Sequence, residues 1–350
     1  MNMEADTSKE IRLPYDKSLP TVAVLMPDEM RKRILTPDAE DQLRQLANIV
    51  VPSTFVASEK EFSRAFDQAV ACLTGWGTPP LSDELLAANP QLGLIAHTAG
   101  SIRRLVSPLA MSRGVRVSHA ANVIADAVAE QVILSCLLCI RPLHRINEEM
   151  KAGADWAHLR EEYAGRLLGN MTVGIVGSGY VGRAVIHLFR AFGCRVLVSD
   201  PYLDIERAQA LGAELTDLPS ILAHADIFSL HAPVLPETRG MIGPSELRAL
   251  RDGVIFINAA RSALVNQDAL LSELTSGRFT AVLDVFDEEP LPLESPFRGL
   301  TNVVLSPHSA GHTKDTHERQ GQAMVDEIGR HLTDAPLLHE VTASMIETMA

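Results

Sequence analysis

The plainest chemistry in this chain belongs to a glycine-rich turn and a carboxylate that follows it at a distance. Gly177-Ser178-Gly179-Tyr180-Val181-Gly182 comes after an apolar, β-branched run, Val173–Val176, and before an amphipathic helical pattern. A second apolar run, Arg195–Ser199, then ends in Asp200. Strand, glycine turn, helix, strand and acid in this order build a dinucleotide site. Gly177 permits the tight turn out of the strand, Gly179 lets the backbone approach a pyrophosphate, and Gly182 lets the helix pack on the sheet. The helix N-terminus offers unsatisfied N–H groups and a partial positive charge to the phosphates. Asp200 is placed to accept hydrogen bonds from both ribose hydroxyls and to repel a 2′-phosphate, which favours NAD over NADP. The next residues are Pro201, Tyr202 and Leu203, with no arginine among them.

The elements that position this turn follow from the hydrophobic pattern. Strands are expected at Thr21–Leu25, Asn48–Val51, Ala69–Thr74, Leu92–His97 and Val115–Ser118, with helices at Ala39–Ala47 and Ser58–Asp67 between them. This alternation implies a parallel sheet covered on both faces. A long apolar helix is expected at Val123–Arg141, then a polar helical stretch, Asn147–Leu168. After Asp200 the strands Ile227–Leu230, Val254–Asn258, Phe279–Asp284 and Val303–Ser306 alternate with helices Leu203–Ala210, Leu218–Ala223, Pro244–Ala249 and Gln267–Thr275, and a final helix covers Met324–Leu332. A chain of 350 residues suggests two domains. Residues 1–122 form one α/β unit, residues 123–310 a Rossmann unit, and residues 311–350, too short for a domain, return to pack on the first. The cleft between two such domains is the default small-molecule site.

Three further segments end expected strands, where open α/β sheets bind ligands. They are Asn258-Ala259-Ala260-Arg261-Ser262, Leu283-Asp284-Val285-Phe286-Asp287-Glu288-Glu289-Pro290 and Ser306-Pro307-His308-Ser309-Ala310-Gly311. Together with GSGYVG, HAPVLPETRG and NAARSALV, they make the chain resemble the D-isomer-specific 2-hydroxyacid dehydrogenases from about residue 20 to its end. The resemblance implies two doubly wound parallel-sheet domains, the Rossmann cofactor domain being inserted in a flavodoxin-like substrate domain. It also implies NAD as cofactor, a small 2-keto or 2-hydroxy acid as substrate, no metal, and a catalytic set. In that set Arg261 grips the substrate carboxylate, for which a planar bidentate guanidinium is suited. His308 is the proton donor in ketone reduction and the acceptor in the reverse direction, which an ordinary imidazole pKa permits. Glu289 orients His308. Asp284 is implied to face the nicotinamide carboxamide, and Ala232, Pro233, Thr238 and Ala259 to line the cofactor. The backbone of Thr98-Ala99-Gly100-Ser101 is implied to hold the substrate carboxylate. Asn122 reads equally as a hinge residue near the cofactor or as a helix N-cap.

Three departures bear on substrate. Ser262 and Ala263 stand where many family members have glycines after the arginine, and Arg103-Arg104 where many have an Asp-containing turn. The two arginines read as solvated surface charges or as attractors of a second anionic group. Trp76, in the loop where phosphoglycerate enzymes tend to place a cation, points the other way, to a small or apolar tail. Phosphoglycerate dehydrogenase is the close alternative, although the stretch after His308 is too short for a serine-sensing C-terminal domain. Formate dehydrogenase is disfavoured by Glu289, where an amide is implied. A nucleotide-sensing protein of corepressor type, the alternative from another class, lacks an obvious peptide-binding tail here.

Bulk properties narrow the rest. A net charge of −13 argues against general nucleic-acid affinity. Four scattered cysteines exclude a disulfide framework, and Cys136 and Cys139 sit inside the apolar run Val132–Ile140 as core thiols. The N-terminus carries acids and no apolar core, so no signal peptide is expected, and no run is expected to reach the ~18 apolar residues of a membrane span. A cytoplasmic homodimer, paired through the long helix 123–141, is the expectation.

Overall fold

A computed structural model describes residues 16–52, 66–106 and 108–349. The chain falls into two compact units. One ends at His119 and takes back Gly321–Val341; the other comprises Ala120–Gln320 with the residues from Thr342 onward. The sequence-based limits, 122 and 311, therefore move to 119 and 321, and the short helix Ala343–Thr348 groups with the second unit rather than the first. Local packing accounts for both shifts. Residues 121 and 122 already form the first turn of the long helix Ala121–Ile140, which is built into the second unit's core. Gly311 lies so close to that helix that a Cβ on it would come within 2.6 Å of Ile124.

The first unit holds strands β1 (Thr21–Leu25), β2 (Asn48–Val50), β3 (Ala69–Thr74), β4 (Leu94–His97) and β5 (Arg116–His119). All neighbours are parallel in the order β2-β1-β3-β4-β5, the flavodoxin-like arrangement. Helices at Asp28–Ile34, Asp83–Ala88 and Pro108–Ser112 escaped the sequence reading; each is a turn or two long, too short to show a period. The helix expected at Ser58–Asp67 lies, except at its end, outside the described residues. The C-terminal return is fastened to β5 by one buried carboxylate. Glu327 accepts hydrogen bonds from the Ser118 hydroxyl (2.7 Å) and from the amides of Leu338 (2.8 Å) and His339 (3.1 Å). Backbone bonds from His119 to His339 and from Val341 to Val117 continue the attachment.

The second unit holds β6 (Thr172–Val176), β7 (Arg195–Ser199), β8 (Glu214–Leu215), β9 (Ile227–Leu230), β10 (Ile255–Asn258), β11 (Thr280–Leu283) and β12 (Val303–Leu305). They form one parallel sheet in the order β12-β11-β10-β9-β6-β7-β8. Between β6 and β9 the order reverses, and ligands bind beyond the strand ends at such a point. Alternate residues serve two cores. Val173, Ile175, Val196, Val198, Ile227 and Ile257 face helices Ala121–Ile140 and Tyr180–Ala191. Leu197, Phe228, Leu230 and Phe256 face helices Leu218–His224, Pro244–Ala249 and Gln267–Thr275. A strand covered on both faces must be apolar throughout, which is why these runs are continuous in the sequence.

One expectation is corrected. Helix Ala121–Ile140 has a mean hydropathy of 2.0 over an 18-residue window and is, by length and composition, apolar enough to cross a membrane. Half of that window is buried, with Val132, Ile133 and Cys136 in the core of the second unit. Its apolarity is that of a core helix. Within it Cys136 is buried, and burial pushes the Cys139 thiol up to about 11, well away from reactivity at neutral pH.

Candidate active site

The glycine turn leaves β6 at the point where the strand order reverses. Gly177 has φ of 94°, and a Cβ there would lie 2.7 Å from the Ala232 amide nitrogen at the end of β9. A Cβ on Gly182 would lie 2.1 Å from the Gly177 carbonyl oxygen. Both positions exclude side chains. Gly179, by contrast, opens on space, with nothing within 4 Å of its Cβ position. Gly179 is also the N-cap of helix Tyr180–Ala191, whose N-terminus has no side-chain cap and carries the partial positive charge that suits a phosphate. Val181 packs on the core while Tyr180 stands exposed.

Asp200 ends β7 beside this turn. Its Oδ2 accepts from the Ser178 amide (2.6 Å) and hydroxyl (2.7 Å), and its Oδ1 accepts from the Tyr202 amide (2.8 Å). Ser178 therefore holds the carboxylate at the turn. A cradle that only glycine fits, an uncapped helix N-terminus and a carboxylate at the next strand end together suit a dinucleotide. Below them, His231 and Ala232 are buried and Pro233 follows. The Thr238 hydroxyl closes this loop on itself, donating to the Pro233 carbonyl (2.6 Å) and accepting from the Leu235 amide (2.8 Å).

The three strand-end segments carry Arg261, Glu289 and His308, and the second unit brings them together. Asn258, buried at the end of β10, accepts from the Ala260 amide (3.1 Å) and donates to the Arg261 carbonyl (2.9 Å), so it shapes the turn around Ala259 that presents Arg261. The Arg261 guanidinium donates to the Ala260 carbonyl at 2.6 Å. His308 has φ of 50°, and its Nδ1 meets Glu289 Oε2 at 2.8 Å. Glu289 Oε1 accepts from the Phe286 amide at 3.0 Å. Burial works against the Glu289 charge, but the hydrogen bonds from His308 and Phe286 and the nearby charge of Arg261 outweigh it and hold the carboxyl below its ordinary range. With Nδ1 held by a carboxylate, Nε2 is the nitrogen of His308 left to exchange a proton.

Asp284 serves the same loop. It is buried at the end of β11, where Oδ1 accepts from the Ser306 hydroxyl (2.5 Å) and the Ser309 amide (2.9 Å), and Oδ2 from the Ala310 amide (3.0 Å). Its carbonyl accepts from the His308 amide at 2.8 Å. The residue implied to face a nicotinamide thus grips both sides of the histidine within the chain. Asn122 lies inside the first turn of its helix, whose N-cap is Ala120, so the N-cap reading is corrected.

In the first unit the expected substrate loop stands at the strand ends. Thr98 bonds back to the Thr74 carbonyl through its amide (2.8 Å) and hydroxyl (2.9 Å). Ala99 is buried, Gly100 and Ser101 are half-buried, and Arg103 and Arg104 are exposed. Trp76 is 38% exposed in the turn after β3, where a Cβ on Gly75 would come within 2.6 Å of the Thr98 hydroxyl. Two buried histidines, paired across β4 and β5, hold the loop from beneath. His119 Nδ1 donates to the Gly100 carbonyl (2.7 Å), and His97 Nδ1 meets the Thr74 hydroxyl (3.0 Å). Burial, with the neighbouring His119, pushes the His97 pKa down to about 4 against the opposing bond to the Ser101 backbone, and burial lowers His119 likewise. Both are neutral at neutral pH. They were missed in the sequence, where the one available signal was a polar residue closing each of two apolar strands.

Comparison with known proteins bears on the same residues. Residues 133–310 match the family model described as the D-isomer specific 2-hydroxyacid dehydrogenase, NAD binding domain. D-3-phosphoglycerate dehydrogenase of Mycobacterium tuberculosis is 35% identical over 246 residues, which is 70% of this chain and 46% of that protein. The chain thus spans about half the length of such relatives. Glyoxylate reductase of Aeropyrum pernix is 32% identical over 257 residues, 72% of this chain and 76% of that protein. A solved phosphoglycerate oxidoreductase from Rhizobium etli has a TM-score of 0.77 at 25% identity, covering 92% of this chain and 98% of its own.

Proposed function

Because this chain belongs to the D-isomer specific 2-hydroxyacid dehydrogenases, we propose that it interconverts a 2-keto acid and a D-2-hydroxy acid with NAD as the hydride carrier. The observation that carries this reading is the Glu289–His308 pair at 2.8 Å, in the unit that also holds the glycine cradle and Asp200. When bound, NAD supplies or takes the hydride at C2. Gly177–Gly182 and Asp200 hold it, with Ala232, Pro233, Ala259 and the Thr238 loop beside the nicotinamide half. Arg261 binds the substrate carboxylate and polarises the adjacent carbonyl. In reduction, His308 Nε2 gives its proton to the carbonyl oxygen, and Glu289 stabilises the imidazolium before that transfer. In oxidation the same nitrogen takes the hydroxyl proton. Asp284 keeps His308 in place.

In this reading the second unit is the cofactor domain and the first the substrate domain, in which Ala99, Gly100, Ser101 and Trp76 are the residues assigned to substrate binding. The exposed Leu134, Leu143, Trp156 and Leu167 support a homodimer formed through the long helix and the segment after it. Four free cysteines agree with a reducing cytoplasm. Phosphoglycerate is the second reading, favoured by the relatives at 35% identity and by the exposed Arg103 and Arg104 on the substrate loop. The test is NADH oxidation against glyoxylate, hydroxypyruvate, pyruvate, phenylpyruvate and phosphohydroxypyruvate, with NADPH and Arg261→Ala as controls. Turnover of one acid that is lost in the variant supports the proposal, and preference for the phosphorylated acid selects the second reading. NADH binding without turnover of any acid refutes both.

A further inference from the structure

We infer that Gln131 is a positioning residue for the proton-transferring His308, acting through Asp284 and Ser306. Gln131 lies midway along helix Ala121–Ile140 and is half-buried. Its Nε2 donates to Ser306 Oγ at 3.1 Å and to Asp284 Oδ1 at 3.3 Å. The Ser306 hydroxyl in turn donates to the same Oδ1 at 2.5 Å. Asp284 then accepts from the amides of Ser309 and Ala310 and, through its carbonyl, from that of His308. A continuous chain of hydrogen bonds therefore runs from the helix to the backbone on both sides of His308, a residue held at a left-handed φ of 50°. Such a conformation persists for a non-glycine residue only where its surroundings over-determine it. Glu289 fixes the imidazole, and the Gln131 network fixes the backbone that carries it.

The residue type matters. The Gln131 amide nitrogen offers two N–H donors to two oxygens, Ser306 Oγ and Asp284 Oδ1. Leucine at 131 offers none. Glutamate at 131 would offer a donor only while its own carboxyl is protonated, and once ionised would set a second negative charge against Asp284.

The test compares Gln131→Leu, Gln131→Glu and wild type. This inference rests on the dehydrogenase reading for its kinetic arm only. With the best keto acid and NADH, Gln131→Leu should lower kcat/KM roughly 10- to 100-fold at every pH, as expected for a slightly misplaced reacting group. NADH binding, followed by fluorescence, should stay within a few-fold. Gln131→Glu should approach wild type at the acid end and fall progressively as pH rises, a profile that a merely structural role would not produce. In the cofactor-free protein, hydrogen exchange at the Ser309 and Ala310 amides should quicken about tenfold in Gln131→Leu. Unchanged exchange at these two amides overturns the inference, as does loss of rate fully accounted for by a lower folded fraction. Should wild type turn over no keto acid, the dehydrogenase reading fails by itself, while the exchange measurement still decides for or against Gln131.

Discussion

Acidification should unfasten the first unit through His97. Its folded-state pKa of about 4 lies below the ordinary value of 6.5, chiefly through burial. Protonation therefore favours the unfolded chain. The stability that neutral His97 confers is present above pH ~6.5 and is lost as pH falls from there toward 4. Integrating these two values, the single residue removes about 2 kcal/mol between pH 7 and pH 5. For an m-value of about 2 kcal/mol/M, that is a fall of about 1 M in the urea midpoint. The chain has two tryptophans, Trp76 in the first unit and Trp156 in the second, and Trp156 is exposed. In a Trp156→Phe background, fluorescence follows the first unit alone. Urea curves at pH 7 and pH 5 should show the parent losing about 2 kcal/mol more than His97→Gln. Titrating groups that do not interact with His97 are common to both proteins and cancel, while the contribution of His119 to the His97 shift is lost with His97 and belongs to the difference. Equal losses in the two proteins would refute the assignment of a buried, neutral His97 beneath the Thr98–Ser101 loop.

Two substitutions test the cofactor cradle. Gly182→Ala sets a methyl 2.1 Å from the Gly177 carbonyl oxygen. It should weaken NADH binding more than tenfold in a fluorescence titration and cost about 1–3 kcal/mol of second-unit stability; binding at wild-type strength would contradict the cradle. Asp200→Ala removes the carboxylate held by Ser178 and Tyr202. The NADPH-to-NADH ratio of kcat/KM should rise at least tenfold, and an unchanged ratio would show that Asp200 does not select the cofactor.

Much of this was legible in the residues, and the exceptions have physical causes. Strands such as Ala69–Thr74 and Ile227–Leu230 announce themselves because burial on both faces demands unbroken apolar runs. The glycine turn was legible because its backbone admits no other residue type at Gly177 and Gly182. β8 and the helix Asp28–Ile34 were not, since they are too short to express a period. The long helix was read as core, yet its capacity to pass for a membrane span was missed because Asp126 and Glu130 interrupt the apolar run, although the mean hydropathy over 18 residues still reaches 2.0. The supporting shell was the least legible part. Gln131 is a lone polar residue in an apolar helix, and its partners Asp284 and Ser306 lie far along the chain, so only the fold brings the three together. Glu327 is the same case in the first unit, a carboxylate in a helix whose donors come from β5 and the C-terminal return.

The most direct test of the central claim is to follow the hydride itself. The protein would be incubated with NADH carrying deuterium at both C4 positions and the keto acid that it turns over best, and the product recovered for mass spectrometry and chiral analysis. One deuterium at C2 of a D-2-hydroxy acid, with no transfer in Arg261→Ala or His308→Gln, is the predicted result. An L-product, an unlabelled product, or transfer undiminished in both variants would contradict the account.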